Sequence, residues 1–445
     1  MNWEMKKFPA YYAGVRQTYP NPVLGETSHS RSAVVGNLIF LSGLNGRDLF
    51  TGKVETNVLE EQMDIALDKL RLAMEQAGSS LSNVVADMIY TKHLKDYSRM
   101  RTAEVKYYQK HAPLLVEEPP ASSFMSPPSV GEPECLVEID AIGVISRDAP
   151  GCEVKKHPMY YLGVRQTYPN IGIGEAQFSR TVVVGNLIFL AGMAGRSPIT
   201  GKVETDVIED HVAIALGKLK VAMEEAGSSM NNIIKTVIYV KNLDDYSRIR
   251  KAEVEFYQHY APLLVEEPPI TMVIEGNLHP PHYLVEISAL GVMSRDRPSW
   301  QVKKYPAYYG GVKFAYPHVA LGQPMFSRSA RVGNLIFCTS IGGQALDTFK
   351  ITSNVLEEQM VIALDNIRMA LEEAGGSMNN IVKTTILFKN IEDIPRIRTA
   401  ELEYYQKHAP LLVEEPPART LIQTNLHMPD SLIEMEAIGF ASGQG

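Results

Sequence analysis

The stretch EEPPART, Glu414 to Thr420, carries an arginine that its two earlier counterparts lack: EEPPASS begins at Glu117 and EEPPITM at Glu266. An arginine after a Pro-Pro turn is ordinarily a solvated surface residue, so Arg419 can bind a ligand only if the fold encloses it. Near each of these stretches lies a run that alternates apolar and polar. The runs are Val137-Glu138-Ile139-Asp140-Ala141, Val285-Glu286-Ile287-Ser288-Ala289 and Ile433-Glu434-Met435-Glu436-Ala437. Period two places the apolar residues on one sheet face and the carboxylates on the other. The acid that recurs, Glu138, Glu286 or Glu434, suits general acid–base work and suits an interior polar network equally well.

Arg101, Arg250 and Arg398 each stand three residues before an acid (Glu104, Glu253, Glu401), the spacing of an intrahelical ion pair. Each could instead bring a second cation to a cleft. The acid pairs before the prolines, such as Glu117-Glu118, read as exposed extended segments. Together these groups offer anion binding and proton transfer. No P-loop, nucleophile elbow, dinucleotide fingerprint or zinc-type histidine pair accompanies them, so neither a cofactor nor a metal is expected. Cys135, Cys152 and Cys338 have no metal-ligand spacing and read as idle thiols of a reducing compartment.

The net charge of −8 excludes a broad basic footprint for nucleic acid or an anionic membrane, while leaving room for a local basic pocket. With no apolar leader and no run of roughly 18 apolar residues, a cytoplasmic chain without a membrane partner is expected.

The elements that must position these side chains come in triplicate. GNLIF occurs at Gly36, Gly185 and Gly333, intervals of 149 and 148 residues, and APLLVEEPP recurs at Ala112, Ala261 and Ala409. A prelude, KKFPAYYAGVRQTYP at Lys6, returns at Lys155 and Lys303; its tyrosines (Tyr11, Tyr12, Tyr19) read as packing groups. The period is that of a small domain rather than a solenoid unit. Three repeats are expected, at 1–150, 151–298 and 299–445, joined by links too short to let them wander. Each reads β-β-α-β-α-β-β. VVGNLIFLSG is taken as one buried strand, and residues 57–78 as an amphipathic helix capped by Asn57 with Glu60 and ended by Gly78. A second helix runs from about Asp96 to His111. The carboxylate-bearing faces are expected to turn toward neighbouring repeats, closing a pseudo-threefold body with clefts between copies.

These phrases resemble the RidA (YjgF-like) reactive-intermediate deaminases. The likeness rests on FSR(S/T)xxVGNLIF, the helix ending ExAG, (I/V)VKTT, PPART and the L(I/V)E(I/M)xA(I/L)G strand. It implies an α+β, chorismate-mutase-like fold and a homotrimer whose sites lie between subunits, here a monomer equivalent to that trimer and open to further self-association. It implies metal-free hydrolysis of a small enamine or imine, whose carboxylate an arginine grips as a planar bidentate pair. Only Arg419 matches that arginine; Ser122 and Thr271 stand in its place elsewhere. Glu138, Glu286 and Glu434 match the water-positioning glutamate. The Ser-Gly after the first strand matches Ser42-Gly43 in repeat 1, Ala191-Gly192 in repeat 2 and Thr339-Ser340 in repeat 3. A pocket tyrosine is matched by His29, Phe178 and Phe326, and a pocket asparagine by Arg101, Arg250 and Arg398.

The expectation is therefore one arginine-equipped cleft per chain. Arg419 would hold the substrate acid, with Glu434 or Glu138 activating water. A backbone amide near Ser42-Gly43 or Thr339-Ser340 would steady developing charge, and Arg398, Arg101, Phe326 and His29 would line the cleft. A ring-opening hydrolase, lyase or 2-aminomuconate-type deaminase, and a non-catalytic binding or chaperone-like shell, stay open. Ribonuclease activity, also reported for the family, sits poorly with an acidic chain.

Overall fold

The computed structural model describes residues 4–12, 15–16, 29–161, 164–165, 178–309, 312–313, 326–345 and 348–441. Within repeat 1 the prelude strand Met5–Pro9 lies antiparallel to Ser30–Val35, which turns back into Leu38–Leu41. VVGNLIF is thus a hairpin rather than the single strand expected, because Gly36 at φ 58° and Asn37 form a two-residue turn. The last strand, Val137–Val144, runs through the middle, between Leu38–Leu41 and Val84–Thr91. Ala121–Met125 lies parallel to Val84–Thr91 on its far side. Repeats 2 and 3 follow the same order of strands and helices. Tyr19 of the prelude falls outside the described residues, while Tyr11–Tyr12 pairs with Val15–Arg16.

The helices Leu59–Gln76 and Tyr97–His111 cover one sheet face, with Met63, Leu67, Leu70 and Met74 fully buried against Ile139 and Ala141. Gly78, at φ 83°, ends the first helix as expected. Ser79 N–H reaches Met74 C=O at 2.9 Å and Gly78 N–H reaches Glu75 C=O at 2.9 Å. The expected Asn57 cap is absent. The helix begins after Val58, whose N–H is held by Thr56 Oγ1 at 3.1 Å. Glu60 turns outward to Arg99 of the second helix, at 2.9 and 2.6 Å. Glu209–Arg248 and Glu357–Arg396 repeat that bond.

Pro-Pro explains why its lead-in is copied so faithfully. Proline has no N–H but keeps its carbonyl, and these carbonyls stitch each repeat to the next. Ser179 accepts this role after repeat 1, its N–H donating to Pro120 (2.8 Å) and its Oγ to Pro119 (2.6 Å). Ser327 does the same to Pro269 and Pro268, and Ser30 to Pro417 and Pro416, so the third repeat returns to the first. The prolines are buried and only the acids before them reach solvent. Lys7, Lys156 and Lys304 reinforce the stitches by donating to the carbonyls of Glu415, Glu118 and Glu267.

The outcome is three tandem α+β domains of the chorismate-mutase-like type, with helices outside and a continuous sheet within. Phe40, Phe189 and Phe337, one from each repeat, share a central apolar cluster.

Candidate functional site

The direction of the stitching decides which residues meet. The Arg419 position of each repeat lies against the Ser42–Gly43 position of the following one. Arg419 N–H donates to Ser42 Oγ at 2.7 Å, and Gly43 N–H donates to Arg419 C=O at 2.9 Å. Between repeats 2 and 3, Thr339 Oγ1 accepts from Thr271 N–H (3.1 Å) and donates to Thr271 C=O (2.8 Å). These contacts also correct one expectation. Ser42 N–H donates to Arg31 C=O (3.0 Å), so both the Ser42 and Gly43 amides are spent on structure and neither is offered to a developing charge.

The repeat 3–repeat 1 junction gathers Arg419, Arg398, His29, Ser42, Gly43 and Glu138. Arg419 is 8% exposed, Arg398 3% and Glu138 4%. The two guanidiniums share one carboxylate: Glu401 Oε2 lies 3.5 Å from Arg419 and in closer contact with Arg398. Arg398 therefore forms the intrahelical pair its spacing suggests, and does so inside the protein. His29, half-buried, is driven well below its ordinary pKa, first by desolvation and then by the charges of Arg419, Arg398, Arg31 and Arg47. Its ring is neutral, and four cations from two repeats surround it.

Glu138 is the acid of this junction. Burial raises its pKa to about 8, with Asp140 pushing the same way and Lys383, Lys69 and Arg419 opposing. Its carboxyl packs on Gly43, where any side chain would overlap it: a Cβ there would stand 2.7 Å from Glu138 Cδ. Gly131, at φ 76°, gives way to Oε2 on the other side. With its pKa at about 8, this carboxyl is mostly protonated at neutral pH.

The remaining candidates lie elsewhere. Glu434 does not join Arg419. It faces the repeat 2–repeat 3 junction, where it accepts from Ser340 Oγ at 3.2 Å and meets His427 Nδ1 at 3.1 Å. His427 in turn stacks on Tyr246 of repeat 2. Thr339, Ser340 and Phe326 belong to this same junction, Phe326 immediately preceding the stitching Ser327. Arg101 sits at the repeat 1–repeat 2 junction, 2% exposed, bonded to Glu104 at 2.8 Å and to Ser122 Oγ at 2.9 Å. Its guanidinium thus reaches the very position that Arg419 occupies in repeat 3. Glu286, pushed by burial to about 7, is the acid of that junction.

Lys69 is a participant that sequence reasoning missed. It is 2% exposed, donates to Asn45 C=O at 2.8 Å, and its pKa falls to about 7, chiefly by burial. Its charge acts on Glu138. The signal was present in the helix pattern: a lysine three residues after Ala66 and four before Ala73, inside the apolar face. Repeat 2 has Lys218 there and repeat 3 Asn366. Among the described residues no group of three or more His, Cys, Asp or Glu side chains is placed to hold a metal ion, and no helix is long and apolar enough to cross a membrane.

Comparison with known proteins agrees with this architecture. The family described as endoribonuclease L-PSP matches residues 22–145, 173–293 and 320–441. A 2-iminobutanoate/2-iminopropanoate deaminase of Escherichia coli K12 is 30% identical over 112 residues, covering 25% of this chain and 83% of the relative. A RutC family protein of Pyrococcus abyssi is 28% identical over 113 residues, covering 25% and 84%. Among solved structures, a chorismatase covers 80% of this chain and 93% of its own at a TM-score of 0.50 and 12% identity, a likeness of fold. A YjgF/YER057c/UK114 family member from Mycobacterium tuberculosis covers 32% of this chain and 99% of its own, at 20% identity and a TM-score of 0.24. With the family pattern matched in all three repeats, the chain belongs to the endoribonuclease L-PSP (RidA/YjgF) family, as three tandem copies in one polypeptide.

Proposed function

We propose that the chain hydrolyses a small carboxylate-bearing enamine or imine at the repeat 3–repeat 1 junction. The observation that carries this reading is geometric: buried Arg419 of repeat 3 is bonded to Gly43 of repeat 1, on which the buried Glu138 carboxyl packs. The deaminase relatives support the reaction class.

Arg419 binds the substrate carboxylate, and the cationic surroundings of His29 favour that anion. Glu138, protonated, donates to the terminal carbon of the enamine, whose C=C electron pair forms the new C–H bond and leaves an iminium. The resulting carboxylate then takes a proton from water as the water oxygen bonds to the iminium carbon. Proton transfer to nitrogen and cleavage of the C–N bond release ammonia and leave a 2-oxo acid. An iminium is electrophilic enough that placement and one proton-exchanging group suffice.

The test is ammonia release from 2-aminoacrylate generated in situ, for wild type, Arg419→Ala and Glu434→Gln. Arg419→Ala should lose nearly all acceleration while Glu434→Gln keeps it. Equal activity of Arg419→Ala and wild type would overturn the assignment. The adjacent Arg398 also suits a dicarboxylate, as in a 2-aminomuconate-type substrate. Arg398→Ala weakening a dicarboxylic imine more than a monocarboxylic one would favour that version.

A further inference from the structure

On the pseudo-threefold axis, residues of all three repeats line a cavity of about 170 Å³. Its wall carries two ion pairs that cross between repeats. Lys383 of repeat 3 bonds Asp140 of repeat 1 at 2.8 Å, and Lys235 of repeat 2 bonds Glu436 of repeat 3. Pseudo-symmetry calls for a third pair between repeats 1 and 2. The residues there are Ala86, in the lysine position, and Ser288, in the acid position; both line the cavity. A long charged side chain and its partner are thus replaced by a methyl and a hydroxyl, which opens space on one side of the axis.

A second departure lies beside the first. The Lys383–Asp140 pair is completed by Thr420, whose Oγ1 donates to Asp140 Oδ2 at 2.6 Å. For the Lys235–Glu436 pair the corresponding residue is Met272, which has no donor. Glu436, 4% exposed, consequently leaves Oε2 buried with no hydrogen-bond partner, on the cavity wall. A buried carboxylate oxygen without a donor is costly, and a native structure that keeps one invites a ligand to fill the role.

We propose that this axial cavity binds one small neutral aromatic molecule bearing a single O–H or N–H donor, a phenol-class ligand. The ring would occupy the space vacated at Ala86, and its donor would reach Glu436 Oε2. The size fits, since an apolar cavity of about 150 Å³ accepts benzene. Both lysines on the wall are paired, so a charged ligand has no counter-ion to claim.

The probes are phenol and toluene, titrated calorimetrically into the full chain, with the melting temperature followed in parallel. Phenol should bind at one site per chain, and toluene about tenfold or more weakly, the expected cost of losing a donor to a charged acceptor. Ala86→Leu, which fills the space, should abolish binding of both while still melting cooperatively. Met272→Thr, which copies the donor of repeat 3, should remove the preference for phenol. Equal affinity for phenol and toluene, no phenol binding at millimolar concentration, or phenol binding undiminished in Ala86→Leu would each overturn the proposal.

Discussion

Gly43→Ala probes the proposed chemistry with the smallest possible change. A Cβ at position 43 would lie 2.7 Å from Glu138 Cδ, where ordinary contact begins near 3.4 Å. The carboxyl must therefore retreat by about 0.7 Å or more, and Gly131 closes the opposite side. Repeat 3 already contains the outcome: Ser340 occupies the equivalent position, and Glu434 is engaged by Ser340 and His427. A misplacement of about 1 Å in a reacting group costs roughly 10²-fold in rate. We expect Gly43→Ala to lower kcat/KM by about that factor in the ammonia-release assay, mainly through kcat, because Arg419 still holds the substrate. Gly192→Ala, which crowds Glu286 at the repeat 1–repeat 2 junction, where Ser122 stands in place of Arg419 and Arg101 is paired with Glu104, should leave turnover unchanged. If Gly43→Ala keeps kcat/KM within twofold of wild type, Glu138 is not the proton-exchanging group and the mechanism fails.

Removing the bidentate grip with Arg419→Ala deletes two charge-assisted hydrogen bonds of about 1.5–3 kcal/mol each, so kcat/KM should fall roughly 10²- to 10⁴-fold; Arg419→Lys should recover only part of it. Because Glu138 must donate first, kcat/KM for the enamine should be level at neutral pH and fall as pH rises through about 8. Lys383→Met removes a cation that lowers the Glu138 pKa and leaves Asp140, which raises it, so that midpoint should move upward. The same variant breaks a buried ion pair and should cost about 3 kcal/mol, read as a lower melting temperature. Glu138 is a raised acid, so its folded form binds more protons than the unfolded chain, and its stabilising contribution is lost as pH rises through about 8. Glu138→Gln should consequently melt higher than wild type at pH 9, by a smaller margin at pH 6, while losing turnover at both.

Much of this was legible in the sequence. The threefold repetition, the helices and the inward turn of the acidic strand faces follow from periodicity, and Gly78 is held to its role by a left-handed backbone that glycine alone adopts easily. The hairpin in VVGNLIF is legible only from its Gly36-Asn37 pair, a two-residue turn signal, because Leu38–Leu41 is buried throughout and offers no alternation. The Asn57 cap failed because Thr56 offers a competing hydroxyl and Glu60 finds a better partner on the neighbouring helix. Above all, a sequence does not say in which direction the repeats are stitched. Arg419 could have faced Glu434 or Glu138, and the contacts of Ser30 with Pro417 and of Ser42 and Gly43 with Arg419 decide for Glu138. Lys69 escaped notice for a related reason: its solvent-free setting depends on the sheet laid over that helix.

The stitch from Pro417 to Ser30 joins repeat 3 to repeat 1. Of the three junctions it is the one between repeats that do not follow each other in the chain. Repeats 1 and 2 can pair before repeat 3 is made, but the pocket holding Arg419 comes into being only when repeat 3 has folded back onto repeat 1. Catalytic competence would then arrive in a single step, when the ring of repeats closes, and a product lacking repeat 3 could fold, pair its two repeats and still be inert.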